Sequence, residues 1–286
     1  MGAKTRRMPD GSRELQLTCE PWTDALLQRY LADGCTGVLV GCPRPDGTAP
    51  DLQFLTTLPD LRSVRLLVGV GDYSALAGLT QLRNLQFHAS AQRPVDLRRC
   101  TGLRRLEAPY QVVADGLPAV ATLHDLTISD WPSGDFTALG GKPELDSLRA
   151  DLRQRAKVAS AGLSGAPALR RLVLNSGRLL DTADLATLHN LVELSADNTR
   201  LPDLDFVASM PSLRELVVYN GGDVPSLAGL VEHPALTTVI LTGSTTVLDG
   251  DLSALWRMPN LRKVALTHRP HYTRTAQDVQ AAFATP

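Results

Sequence analysis

The chain has 286 residues, 43% of them apolar and 21% charged, with a formal net charge of −1. That composition suits a folded protein, and the near-zero charge argues against a dedicated nucleic-acid binder, which carries a basic excess. No apolar run reaches the roughly 18 residues of a membrane helix, and Met1 to Asp10 is charged without a following apolar stretch, so neither a membrane span nor a secretory signal is expected in the chain as given.

Four cysteines (Cys19, Cys35, Cys42, Cys100) are too few and too irregular for a disulfide framework. A zinc site built on the first three would lack a fourth ligand, His88 being the nearest histidine in sequence. The expectation is therefore no metal, no cofactor and a reducing, cytoplasmic setting. Arginine outnumbers lysine 25 to 4, a bias of GC-rich genomes that points to a bacterial source.

Glu14 to Cys19 alternates weakly, as a strand would. Trp22 to Ala32 reads as a helix with Thr23 as N-cap and Gly34 as its stop. Residues 1–50 are thus expected to form an N-terminal cap, with Cys35-x-x-Val38-x-Val40 as a degenerate repeat. From residue 51 to 267 one pattern, Leu-x-x-(Leu/Val)-x-apolar, recurs ten times. It starts at Leu61, Leu82, Leu103, Leu123, Leu145, Leu169, Leu191, Leu213, Leu236 and Leu261, at gaps of 20 to 25 residues. The alternating pair, as in Leu172 and Leu174, predicts a short strand with one face buried. A second series at spacing three, such as Leu185, Leu188 and Leu191, predicts a helical or 3-10 turn. One strand and one turn per unit, always in that order, require the strands to be parallel. Pro59, Pro143, Pro167, Pro211, Pro234 and Pro259 each stand two residues before a repeat leucine, as turn entries. Residues 268–286 are expected to end the stack, with Val279 and Phe283 on one face of a capping helix over Thr275 to Ala284.

With these ten units the chain resembles the leucine-rich repeat family, in its stand-alone bacterial form. The resemblance implies an α/β solenoid, a right-handed superhelix with a parallel sheet on its concave side and helical or 3-10 turns on its convex side. It also implies a non-enzymatic protein-binding role. One departure stands out. Family members often place an asparagine after the strand to satisfy buried backbone groups. Here only Asn198 and Asn220 lie near that site, one residue early, and Val68, Ala89, Tyr110, Asp130, Leu152, Ser176, Gly243 and His268 occupy it elsewhere.

Residues two, four and six places after each repeat leucine face away from the core. Their central column reads Arg65, Gln86, Glu107, Thr127, Arg149, Val173, Ser195, Val217, Ile240 and Ala265. Ten strands at ~4.8 Å make a ramp of roughly 45 Å, long enough for a protein partner. Val173, Val217 and Ile240 are also what strand propensity places on a pleated surface. Flanked by Arg171, Glu193, Asp197 and Glu215, they read as an apolar centre with a charged rim. Tyr219 is the anchor expected there. Tyr110 and Trp131 follow adjacent strands at nearly one phase and form a second candidate on the rim, the alternative being that they fold inward over the core. Arg149, Arg153, Arg155 and Lys157 form the basic run, interleaved by Asp146 and Asp151 and without aromatic partners, and read as a solvated loop rather than a nucleic-acid site. No phosphate loop or nucleophile elbow is present. The expected partner is a protein and not a nucleic acid or membrane, the chain itself being a monomer or weak homo-oligomer. As variants, the chain inhibits a toxin or hydrolase, as an immunity protein does, or positions another enzyme as an adaptor.

Overall fold

The computed structural model describes residues 3–18, 20–41, 50–69, 72–88 and 94–283. Cys19, Cys42 and Ala89 lie outside them. The chain divides into two compact units, Met1–Ser129 and Asp130–Pro286.

In the first unit the strands are β1 (Lys4–Arg7), β2 (Arg13–Leu17), β3 (Gly37–Val40), β4 (Ser63–Leu66), β5 (Asn84–Phe87), β6 (Arg105–Pro109) and β7 (Asp125–Trp131), the last running across the boundary. They hydrogen-bond in sequence order. β1 and β2 form an antiparallel hairpin, and every pairing from β2 onward is parallel. β1 was not visible in the sequence, because Lys4, Arg6 and Arg7 give it no apolar alternation. Its cationic side chains suit an edge strand, where charge discourages pairing with another chain. α1 spans Asp24–Ala32, and the Thr23 hydroxyl accepts from the Leu26 N–H at 3.4 Å. Trp22, just before it, stacks on Phe54 with ring centroids 4.3 Å apart.

The second unit carries a main parallel sheet of β8 (Ser147–Leu152), β10 (Arg171–Asn175), β12 (Glu193–Asp197), β13 (Glu215–Tyr219), β15 (Thr238–Thr242) and β17 (Lys263–Leu266). Between them lie shorter strands that build two small parallel ladders of their own. β9 (Lys157–Val158) pairs with β11 (Arg178–Leu179), and β14 (Asp223–Val224) with β16 (Thr246–Val247). The returning turns are mostly 3-10, such as Leu163–Gly165, Leu185–Thr187 and Asp205–Ser209. The unit closes on the helix Ala276–Phe283, opened by a reciprocal cap in which Thr275 and Asp278 exchange side-chain and backbone hydrogen bonds.

The register follows from what is buried. Nine of the ten repeat leucines, Leu61 through Leu236, are at most 4% exposed, and Leu261, in the last coil, is half-buried. Fully burying a leucine stabilises a fold by roughly 1.5–3 kcal/mol. A one-residue slip would turn a whole strand's apolar set outward. Acidic side chains open the turns. Asp51, Asp72, Asp135, Asp203 and Asp251 stand ten residues before a repeat leucine, and each accepts the N–H two residues on, at 2.8–3.0 Å.

The asparagine phase now has a physical reason. Asp130, Ser176, Asn198, Asn220 and Gly243, all seven residues past a repeat leucine, have φ between 50° and 70°. Asparagine, aspartate and glycine tolerate that left-handed backbone best. Threonines do the work of the missing asparagine ladder. The buried Thr199 hydroxyl lies 2.8 Å from the Ser176 carbonyl oxygen and 3.1 Å from that of Leu174. Thr245 donates to the Val218 carbonyl and accepts from the Gly221 N–H.

The position three before each repeat leucine is also a core slot, filled by Leu58, Cys100, Val120, Ala166, Leu188, Met210 and Met258, all buried. Two units break its chemistry, with Lys142 at 0% exposure and His233 at 3%. His233 is held neutral: Nε2 donates to the Met210 carbonyl at 3.0 Å, Nδ1 accepts from the N–H groups of Ala235 and Leu236, and burial lowers its pKa.

Candidate functional site

In the second unit the outward residues fall into three columns whose register the strand pairing fixes. The first is Ser147, Arg171, Glu193, Glu215, Thr238 and Lys263. The centre is Arg149, Val173, Ser195, Val217, Ile240 and Ala265. The third is Asp151, Asn175, Asp197, Tyr219 and Thr242. Val173, Val217 and Ile240 are half-buried, because neighbouring side chains on a pleated face cover part of one another. Tyr219 is 45% exposed. Its ring lies beside Gly243, where an added Cβ would stand 3.1 Å from Tyr219 Cε2 and 2.1 Å from Asn220 Oδ1. Glycine at 243 therefore supplies both the left-handed backbone and the room for the ring.

Charge frames this column. Arg171 Nε meets Glu193 Oε2 at 3.1 Å, and Arg149 Nε meets Asp151 Oδ1 at 3.1 Å. Asn175 also donates to Asp151. Asp197 accepts from Asn198 Nδ2 at 2.8 Å. Glu215 takes no ion pair among the described residues. These exposed pairs are worth little to stability, so their carboxylates and guanidinium groups can be exchanged for contacts with a partner.

The first unit treats its column differently. Arg65 is committed inside the fold. Its Nε and Nη2 donate to Glu14 Oε2 and Oε1 at 2.6 and 2.5 Å, and the Glu14 side chain is 2% exposed. Gly37 stands between Glu14 and Ser63 in the ladder and, having no side chain, leaves the guanidinium its path across β3. Gln86 is half-buried and registers with Arg65 and Glu107. Glu107 faces His88 at 3.6 Å. The Arg65–Glu14 pair could not be anticipated, since Glu14 reaches its position only when β2 and β4 flank the same strand.

Trp131 does not stand on a rim as expected from the sequence. Trp131 is 0% exposed, tilts against Phe136 with centroids 5.1 Å apart, and donates Nε1–H to the Asp135 carbonyl at 3.1 Å. It is a core side chain, and for Trp131 the inward alternative is the one realised. Tyr110 is half-buried and begins a helical turn, Tyr110–Val113. The basic run also splits. Arg149 lies on the open face, while Lys157 belongs to the small ladder with β11.

Among the described residues no group of histidine, cysteine and carboxylate side chains is placed to hold a metal, and no helix is long and apolar enough to cross a membrane. Cys35 and Cys100 are buried, and burial raises both thiols, Cys100 to about 11.

No family model matches the sequence, and no curated protein resembles it in sequence. Solved structures do resemble it. A leucine-rich repeat protein of Leptospira interrogans superposes with a TM-score of 0.71 at 15% identity, over 92% of this chain and 68% of that one. The leucine-rich repeat ectodomain of an Arabidopsis thaliana membrane receptor kinase, solved in complex with Casparian strip integrity factor 2, gives 0.61 at 17%, over 87% and 34%. An internalin of Listeria monocytogenes gives 0.56 at 16%, over 90% and 83%. The chain has the leucine-rich repeat fold.

Proposed function

We propose that this leucine-rich repeat chain is a non-enzymatic binding module that grips a partner protein on the open face of its second unit. The observation that carries the reading is the registered apolar column Val173–Ser195–Val217–Ile240, edged on one side by Arg171, Glu193 and Glu215 and on the other by Asp197 and Tyr219. An apolar strip with a charged border is how interfaces exclude water at the centre and select partners at the edge. Tyr219, exposed and seated against Gly243, is the anchor. The strands hold these side chains in place before binding, which lowers the ordering cost of association. The receptor ectodomain solved in complex with Casparian strip integrity factor 2 supports a binding role for such a fold.

The test is capture of partners from the native host by the wild type and by Tyr219→Ala/Glu215→Arg, followed by titration of the purified partner. One protein retained by the wild type and released by the folded variant is the expected result. Equal retention by a variant with an unchanged circular dichroism spectrum would overturn the surface. Assaying the captured partner's own activity separates inhibitor from adaptor.

A further inference from the structure

The small ladders of the second unit form a second surface, away from the open face. Lys157, Arg178 and Arg200 stand in one register row, Arg178 paired with Lys157 on one side and bridged to Arg200 on the other. All three are exposed, and none takes an ion pair among the described residues. Neighbouring members of such a row stand on strands ~4.8 Å apart. Like charges directly opposite one another destabilise a ladder, so folding alone gives no reason for three in a row. The acids nearby form no ion pair with the row among the described residues: Asp181 is held by Ser160, Asp203 accepts the Asp205 N–H, and Asp223, which follows Arg200 in the adjoining ladder, stands opposite Thr246.

Beside the cationic row runs an apolar one. Val158, Leu179, Leu201, Val224 and Val247 point into the core at 0–4% exposure. The residues that follow them are Ala159, Leu180, Pro202, Pro225 and Leu248, all at least partly exposed. Leu180 is 49% and Leu248 55% exposed. The two ladders adjoin, since a Cβ on Gly222 would lie 3.4 Å from Arg200 Nε. Prolines at 202 and 225 lack the N–H that continued pairing needs, so this surface recognises through side chains rather than by adding a strand.

We propose that this flank is a second docking site, whose occupant is an acidic protein segment that interleaves carboxylates with leucine-like side chains. The carboxylates meet Lys157, Arg178 and Arg200; the apolar side chains cover Leu180, Pro202, Pro225 and Leu248. The row holds no aromatic ring on which a base could stack, which favours a peptide over a nucleic acid. The site is independent of the open face and of the partner proposed there.

The test uses the full chain and a fluorescein-labelled 16-residue peptide of alternating Glu and Leu-Ser content, read by anisotropy at low and high salt. A Gln-for-Glu peptide, oligothymidylate and phosphatidylserine vesicles are run beside it. The expected result is salt-sensitive binding of the acidic peptide, weakened at least tenfold in Arg178→Glu/Arg200→Glu and retained in Arg178→Lys/Arg200→Lys. Leu180→Ser/Leu248→Ser weakens it without changing the salt slope, and Tyr219→Ala/Glu215→Arg leaves it unchanged. No binding, equal binding by the charge-reversed variant, or tighter binding of the oligonucleotide or vesicles would overturn the proposal. The charge reversal exchanges one like-charge pair for another at positions 178 and 200, and an unchanged circular dichroism spectrum verifies that it folds.

Discussion

Lys142 offers the sharpest test of the core. It occupies a slot that seven other repeats fill with buried apolar side chains or a thiol, and it is 0% exposed. Burial lowers its pKa from 10.5 to about 8, because a low-dielectric interior disfavours the ammonium. At about 1.36 kcal/mol per pH unit, the native state carries a penalty of roughly 3 kcal/mol for the charged form at pH 7. The native pKa lies below the unfolded one, so between about pH 8 and 10.5 the unfolded chain holds one more proton, and stability rises with pH across that window. Lys142→Met keeps the length of the side chain and removes the titration. The stability of the variant relative to the wild type should rise by about 2–3 kcal/mol on going from pH 10 to pH 7. Urea unfolding of both proteins at pH 7, 8, 9 and 10 reads this directly. The Cys100 thiol, raised to about 11, titrates in the opposite sense but in both proteins, so it cancels in the difference. A pH-independent difference would refute the reasoning.

Two further outcomes are expected. Arg65→Met leaves the Glu14 carboxylate buried without its partner and should cost about 3 kcal/mol, with part of the loss recovered in Glu14→Gln/Arg65→Met; a cost below about 1 kcal/mol in chemical denaturation would contradict the buried pair. The turn-opening Asp135 and Asp251, and Asp184, which accepts from Ser164 and the Gly162 N–H, have pKa values below 3.8, first because of their side-chain or backbone hydrogen bonds. Their folded pKa values lie below the unfolded ones, so their contribution is complete above pH 3.8 and is lost as the pH falls through the folded values. Buried His233, with its pKa lowered from 6.5, costs stability as the pH falls below 6.5 in both proteins; thermal melts should fall further below pH 4, and replacing all three aspartates by asparagine should flatten that further fall. An unchanged acid response in the triple variant would remove these turns from the account.

The period of the leucines determined the fold. A side chain that recurs every 20 to 25 residues and must leave water each time can do so only in stacked coils. The alternation around it fixed which residues face outward, so the columns through Val173, Val217, Ile240 and Tyr219 were legible before any coordinate. What is local in the backbone was half legible. The seventh position drew asparagine, aspartate, serine and glycine, but only the dihedrals reveal it as a left-handed corner, one at which Asn220 also donates to Asn198 on the neighbouring coil. Trp131 read as a rim residue because periodicity says nothing of a side chain beyond a strand's end, where Phe136 and the Asp135 carbonyl draw it inward. The row of Lys157, Arg178 and Arg200 was out of reach for a different reason. Its members are 21 and 22 residues apart and follow no hydrophobic period. Only the coil-to-coil register, set by the buried Val158, Leu179 and Leu201 beneath them, brings three positive charges into line.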